Sequence, residues 1–165
     1  MSKLTAIALA VALTVPVLAQ ASDAVIRHKT PGSTFPIAAA VEVPAGKTTV
    51  YVSGKVPSVV DASAPRDSVA AYGDTRTQTV SVLKIIEAQL KDLGLTMGDV
   101  VKMQVFLVGD PAKDGKMDFG GFMQGYSEFF GTEAQPNLPA RSTMQVAGLV
   151  SPGFLVEIEV TAVRP

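Results

Sequence analysis

From Val156 to Ala162 apolar and polar side chains alternate without a break, the period of an extended strand with two unlike faces. Val156, Ile158, Val160 and Ala162 fall on one face, and Leu155, Glu157, Glu159 and Thr161 on the other. The first face demands a hydrophobic layer. The second must meet water, a ligand or another subunit, and plain solvation of Glu157 and Glu159 on the outside of an antiparallel sheet fits the periodicity equally well. Just upstream, the strand-like run Pro139-Ala140-Arg141-Ser142-Thr143-Met144-Gln145-Val146 carries a fixed cation. Ions in segments that otherwise read as buried must be paired or put to use, which makes Arg141 and Glu157 the first candidates for chemistry.

Residues 1–21 read as a cleavable leader. Met1-Ser2-Lys3 precedes an apolar run from Leu4 to Leu18, and Ala19-Gln20-Ala21 is a small-x-small cleavage signal. The run is short for a bilayer span, Pro16 interrupts it, and polar residues follow at once. The expectation is a periplasmic or secreted protein, cut after Ala21, with no stable membrane anchor after cleavage. Residues 22–165 then form one domain of 144 residues.

Loss of Lys3 with the leader leaves 13 basic against 15 acidic residues, a balance of −2 that gives nucleic acid no basic patch to bind. The chain has no cysteine, hence neither disulfides nor a thiol nucleophile, and must rely on its core or on oligomerisation. Its single histidine, His28, stands without a ligand cluster and reads as a surface residue. The sequence carries no metal motif, no phosphate-binding glycine loop and no Ser-His-Asp set, so neither metal nor cofactor is expected.

Along the chain, residues 22–33 read as a loose arm broken by Pro31-Gly32. Strands are predicted over Ile37–Val43 and Thr48–Ser53, separated by the turn Pro44-Ala45-Gly46-Lys47 and stopped by Gly54. Pro57–Gly73 reads as a long surface loop. Asp74–Leu93 has helical spacing, with Val80, Leu83, Ile86 and Leu90 on one stripe, an Asp74 cap and Gly94 closing the end. Thr96-Met97-Gly98-Asp99 reads as a capped single turn, followed by a strand over Val100–Val108. A second helix is predicted from about Met117 to Phe130, its stripe of Phe119, Phe122, Tyr126, Phe129 and Phe130 read as a core face and not a cofactor box. Strands at Arg141–Leu149 and Phe154–Val163 complete an order β β α β α β β, an α+β sheet whose two helices must cover one face.

These landmarks jointly resemble the reactive intermediate deaminases of the RidA/YjgF type. The matching pieces are Val50-Tyr51-Val52-Ser53-Gly54 with Pro57, Val100-Val101-Lys102 with Val105-Phe106-Leu107, Asp118-Phe119 with Tyr126 and Phe129-Phe130, Pro139-Ala140-Arg141-Ser142, and Glu157-Ile158-Glu159 with Ala162-Val163. The resemblance implies a chorismate-mutase-like fold and a homotrimer with clefts between subunits. It also implies hydrolysis of small enamine or imine acids, such as 2-aminoacrylate, to 2-keto acids and ammonia. By the same resemblance Arg141 and Glu157 are catalytic. Arg141 clamps the substrate carboxylate, Glu157 activates the attacking water, and Ser53, Gly54 and Thr143 line the substrate. Four positions depart from the family's pattern: Ile37 where a tyrosine is common, Lys55 where a glutamine is common, Met123 where an asparagine is expected and, as a milder change, Thr143 where a cysteine is frequent. Such losses leave an anion clamp with fewer partners, so the alternative reading is a trimer that binds small carboxylates without turning them over.

Overall fold

The computed structural model describes residues 23–165, and the expected leader at 1–21 lies outside the described residues. Two sheets are present. Strands β1 (Ile26–His28) and β2 (Ala40–Glu42) form a small antiparallel pair. Strands β3 (Thr49–Lys55), β4 (Val100–Val108), β5 (Ala140–Val146) and β6 (Val156–Val163) form the main sheet in the order β3-β6-β4-β5. The β4–β5 pair is parallel and the other pairs are antiparallel. A parallel pair needs a crossover, and the chain between β4 and β5 supplies it with helix α2 (Phe119–Tyr126). Helix α1 (Thr75–Asp92) packs beside α2 on the same face. The predicted α+β class, with two helices on one side of a mixed sheet, is what the chain adopts.

The alternation read in the last strand is realised from Val156 onward: Val156, Ile158, Val160 and Ala162 are buried and Glu157, Glu159 and Thr161 are half-exposed on the far side, but Leu155, assigned to the polar face, precedes β6 and is buried in the core. Under the helices those residues meet Met103, Val105 and Leu107 of β4, Val82, Leu83, Ile86 and Leu90 of α1, and Phe122 and Tyr126 of α2. Each such burial contributes about 1.5–3 kcal/mol. The opposite face of the sheet carries no helix, and Tyr51 lies there 81% exposed.

Three local readings are corrected. The amino-terminal arm is not loose, because Ile26–His28 pairs with β2 and the Arg27 guanidinium donates to the carbonyls of Gly98, Val100 and Leu138 at 2.8, 2.9 and 2.8 Å. The inner stripe of α1 runs through Gln78, Thr79 and Val82, with Val80 left half-exposed. Gln78 can be buried because its amide is satisfied: it donates to Gly73 and Gly153 O and accepts from Leu155 N at 2.7 Å, clipping α1 to the entry of β6. Within the supposed surface loop, Tyr72 is buried and meets Phe154 edge-on at 4.8 Å.

The helix ends follow the predicted chemistry. Asp74 accepts from Thr77 N at 2.8 Å, and Gly94 takes φ 72° just past α1. Thr96 and Asp99 form a reciprocal capping box. Helix α2 is shorter than the aromatic stripe, since glycines at 120, 121 and 125 weaken it and Ser127 caps it. The stripe nevertheless continues through the following turn, where the Phe129 and Phe130 amides both donate to Tyr126 O.

Candidate active site

Arg141 is the second residue of β5, opposite Met103 of β4, so its side chain rises on the helix-covered face. There it enters a box of aromatic rings. The guanidinium carbon lies 4.3 Å from the ring centre of Tyr126, 4.9 Å from Phe122, 5.5 Å from Phe35 and 6.0 Å from Phe119. These are cation–π distances, and the ring faces partly replace the water that the cation has given up. Nη2 donates to Met123 Sδ at 3.2 Å, a weak acceptor. Nη1 is buried and has no partner. Burial lowers the guanidinium pKa from its ordinary value, with the neighbouring Tyr126 pulling the other way. The same burial pushes the Tyr126 phenol up to about 12, opposed by the Arg141 charge. Tyr126 donates its hydroxyl hydrogen to Pro36 O at 2.8 Å, which ties down the loop that carries Phe35.

Thr143 stands two residues further along β5, roughly 6.6 Å away on the same face. Its hydroxyl oxygen is likewise buried and unpartnered. Buried donors are satisfied in the great majority of cases, and a guanidinium nitrogen and a hydroxyl left open on one strand face have the chemistry to receive a small anion. The aromatic stripe of α2 therefore has two jobs. It is core, as the sequence suggested, and it also walls the cation. Phe35, from the loop before β2, is the contributor that sequence reasoning missed. No spacing signal links it to Arg141, because the contact exists only once that loop is tied to α2.

Glu157 lies elsewhere. It sits opposite Phe106 of β4, and Met103 and Phe106 are an odd number of residues apart, so Arg141 and Glu157 point to opposite faces of the sheet. Strand β4 also separates their strands. The expected recess shared by the two groups is therefore not formed within one chain. The cause is topological: consecutive strands at the carboxyl terminus are not neighbours, since β5 joins the edge in parallel and β6 inserts between β3 and β4.

On its own face Glu157 meets the other predicted residues. Val52 pairs with Val160 and Lys55 with Ile158, so Ser53 and Gly54 bulge together opposite Glu159. The bulge brings the Gly54 backbone under the Glu157 carboxylate, and a Cβ at Gly54 would collide with Glu157 Oε1. The carboxylate is half-exposed and makes no hydrogen bond among the described residues, leaving its oxygens free to hold water or a ligand. Next to it runs a cleft of about 320 Å³ on the uncovered face, lined by Tyr51, Ser53, Lys102, Gln104, Glu159 and Thr161. Ser53 and Gly54 thus belong with Glu157, and Thr143 with Arg141.

Among the described residues no group of three or more His, Cys, Asp or Glu is placed to hold a metal ion, and no helix is long and apolar enough to cross a membrane. His28 is exposed and pairs with Glu42 at 2.6 Å.

Comparison with known proteins agrees with this architecture. Residues 28–164 match the family described as Endoribonuclease L-PSP. A RutC family protein of Haemophilus influenzae is 34% identical over 138 residues, covering 83% of this chain and 93% of its own length. The protein provisionally named reactive intermediate deaminase TdcF of Escherichia coli is 31% identical over 137 residues, covering 83% and 93%. Among solved structures, TdcF with bound serine superposes with a TM-score of 0.55 at 30% identity over 86% of this chain and 98% of that one. A Rid protein of Yersinia pestis superposes at 0.61 with 24% identity, over 84% and 98%. With the family match spanning nearly all the described residues, the sheet order and helix placement find their explanation: the chain belongs to the Rid/YjgF (RutC-like) family.

Proposed function

We propose that this protein is an exported Rid-type hydrolase that converts small enamine or imine acids, of the 2-aminoacrylate kind, to 2-keto acids and ammonia. The observation that carries this reading is the buried Arg141 Nη1 without a partner, beside the equally open Thr143 hydroxyl. A carboxylate completes both. The serine bound in TdcF supports a ligand of amino-acid size.

The two half-sites are on opposite sheet faces, so the catalytic centre is assembled between copies in a homotrimer: Arg141 and Thr143 from one protomer, Glu157 with the Ser53–Gly54 bulge from the next. The uncovered sheet face, with Tyr51 exposed and Met144 partly so, supports such packing. Arg141 holds the carboxylate by charge-assisted hydrogen bonds. Glu157 takes a proton from a water that attacks the C=N carbon and returns it to nitrogen, and collapse of the tetrahedral carbinolamine releases ammonia and leaves the keto acid. An enamine enters as its imine tautomer.

Keto-acid release from an imine generated by an amino-acid oxidase tests the proposal. Acceleration by the wild-type protein, lost in Arg141→Ala, supports it; no acceleration across several amino acids rejects it. The non-catalytic alternative draws on one observation, that a thioether, Met123 Sδ, accepts from Arg141 Nη2 where the family carries an amide, which leaves the clamp a weak acceptor at that position. Calorimetric binding of 2-ketobutyrate, lost in Arg141→Ala and unaccompanied by hydrolysis, would favour it. Export is tested by the amino-terminal sequence of the mature protein from the periplasmic fraction, expected to begin at Ser22.

A further inference from the structure

We propose that Met123 is an oxidation site through which peroxide closes the Arg141 clamp, a regulation that rests on the carboxylate-binding reading above. Met123 Sδ already sits 3.2 Å from Arg141 Nη2, and the neighbouring Nη1 has no acceptor. A thioether is a weak acceptor, so in the reduced state a carboxylate outcompetes it easily. A sulfoxide oxygen is a strong one. Transfer of one oxygen from hydrogen peroxide or an alkyl hydroperoxide breaks the O–O bond, takes sulfur from thioether to sulfoxide and releases water or alcohol. The new oxygen is then delivered onto a buried guanidinium that lacks a counter-charge, into the space a ligand carboxylate would use.

The position of Met123 makes it available. It is half-buried on α2, unlike Met97 at 5% and Met103 at 0% exposure in the core. Its environment also favours the product, because the sulfur already lies against a cation that has no carboxylate partner among the described residues. Met97 and Met103, both in the core, serve as internal controls that should stay reduced while Met123 is oxidised.

The test compares wild type and Met123→Leu before and after limited hydrogen peroxide, each against its own untreated value, with oxidation at every methionine followed by peptide mass spectrometry. Affinity for 2-ketobutyrate should fall roughly tenfold or more in the wild type and be unchanged by peroxide in Met123→Leu, since one hydrogen bond to a charged group is being contested. Methionine sulfoxide reductase should restore it. Met123→Gln, whose amide oxygen imitates the sulfoxide, should bind weakly without oxidant. In parallel, the Arg141 side-chain N–H resonances, assigned with Arg141→Lys, should shift on oxidation of the wild type alone.

The inference is overturned if Met123 stays reduced under peroxide that fully oxidises free methionine, if Met123 is oxidised and the Arg141 resonances do not move, or if peroxide affects Met123→Leu as strongly as the wild type. Absence of carboxylate binding in the untreated protein would instead reject the functional reading. The resonances would still report on the contact between sulfoxide and guanidinium.

Discussion

The two faces of the main sheet hold ions in opposite ways. On the helix face, Arg141 is boxed by four rings and a thioether, with its charge unmatched by any carboxylate among the described residues. On the other face, Glu157 stands half-exposed above a glycine, its oxygens unencumbered. A half-buried cation walled by rings is held in place by the surrounding packing, whereas a half-exposed carboxylate with no protein partner is held by solvent. The first is therefore bound up with the core and the second is not. Substitutions on the two faces should separate activity from stability accordingly.

The largest effect is expected at Glu157. Glu157→Gln keeps the shape and removes the base, so keto-acid release should fall by roughly 10²–10⁴-fold. Its thermal midpoint should stay within about 2 °C of wild type, as for most surface changes away from special features. A matching drop in stability would break the contrast between the faces.

Phe122→Ala addresses the helix face. Phe122 is fully buried, contacts Phe119 and Tyr126, and walls the guanidinium, so its truncation should cost about 3–5 kcal/mol in denaturant unfolding. A loss below about 1 kcal/mol would mean that the box collapses around the cation without penalty.

How much of this contrast was legible beforehand depends on the range of the interaction involved. Alternation fixes which residues share a strand face, and it correctly separated Val156, Ile158 and Val160 from Glu157 and Glu159. Caps and turn residues act over four or five positions, so Asp74, Gly94 and the Thr96–Asp99 box were readable too. What periodicity cannot carry is the strand order. That Arg141 and Glu157 face opposite sides of one chain follows from β4 lying between β5 and β6, an order set by the crossover through α2 that returns β5 parallel to β4. The burial of Gln78 was also hidden, because a glutamine in a helix reads as surface until its three backbone partners are known. Similarly, β1 was hidden because three residues give too short a pattern.

Alkaline pH should act on the helix face alone. Tyr126 has its phenol pushed up to about 12 by burial, above the unfolded value of about 10. A raised folded-state value means that the native state holds the proton more tightly. The corresponding stability is fully present below about pH 10 and is lost as the pH climbs towards 12, amounting to roughly 2–3 kcal/mol. Tyr126→Phe should flatten that alkaline slope, at a cost near neutrality of about 1 kcal/mol for the lost hydrogen bond to Pro36 O. An identical slope in wild type and variant would show that the phenol is not the group responsible.

The smallest change in stability is expected where the chemical change is greatest. Arg141→Leu removes a charge, yet the guanidinium has given up much of its hydration to a site that returns ring faces, a sulfur and the neighbouring Tyr126 and leaves Nη1 unused. Cation–π attraction contributes about 2 kcal/mol when desolvated, and burying the ion costs several kcal/mol. The attraction offsets only part of that cost, and a leucine fills part of the box with apolar atoms. Unfolding free energy should therefore stay within about 1 kcal/mol of wild type or rise, while carboxylate binding disappears. A protein that retains its fold and loses its ligand in this way is what a clamp kept for binding predicts. A large destabilisation would mean that Arg141 is there to hold α2 on the sheet, and the two faces would then differ in architecture alone.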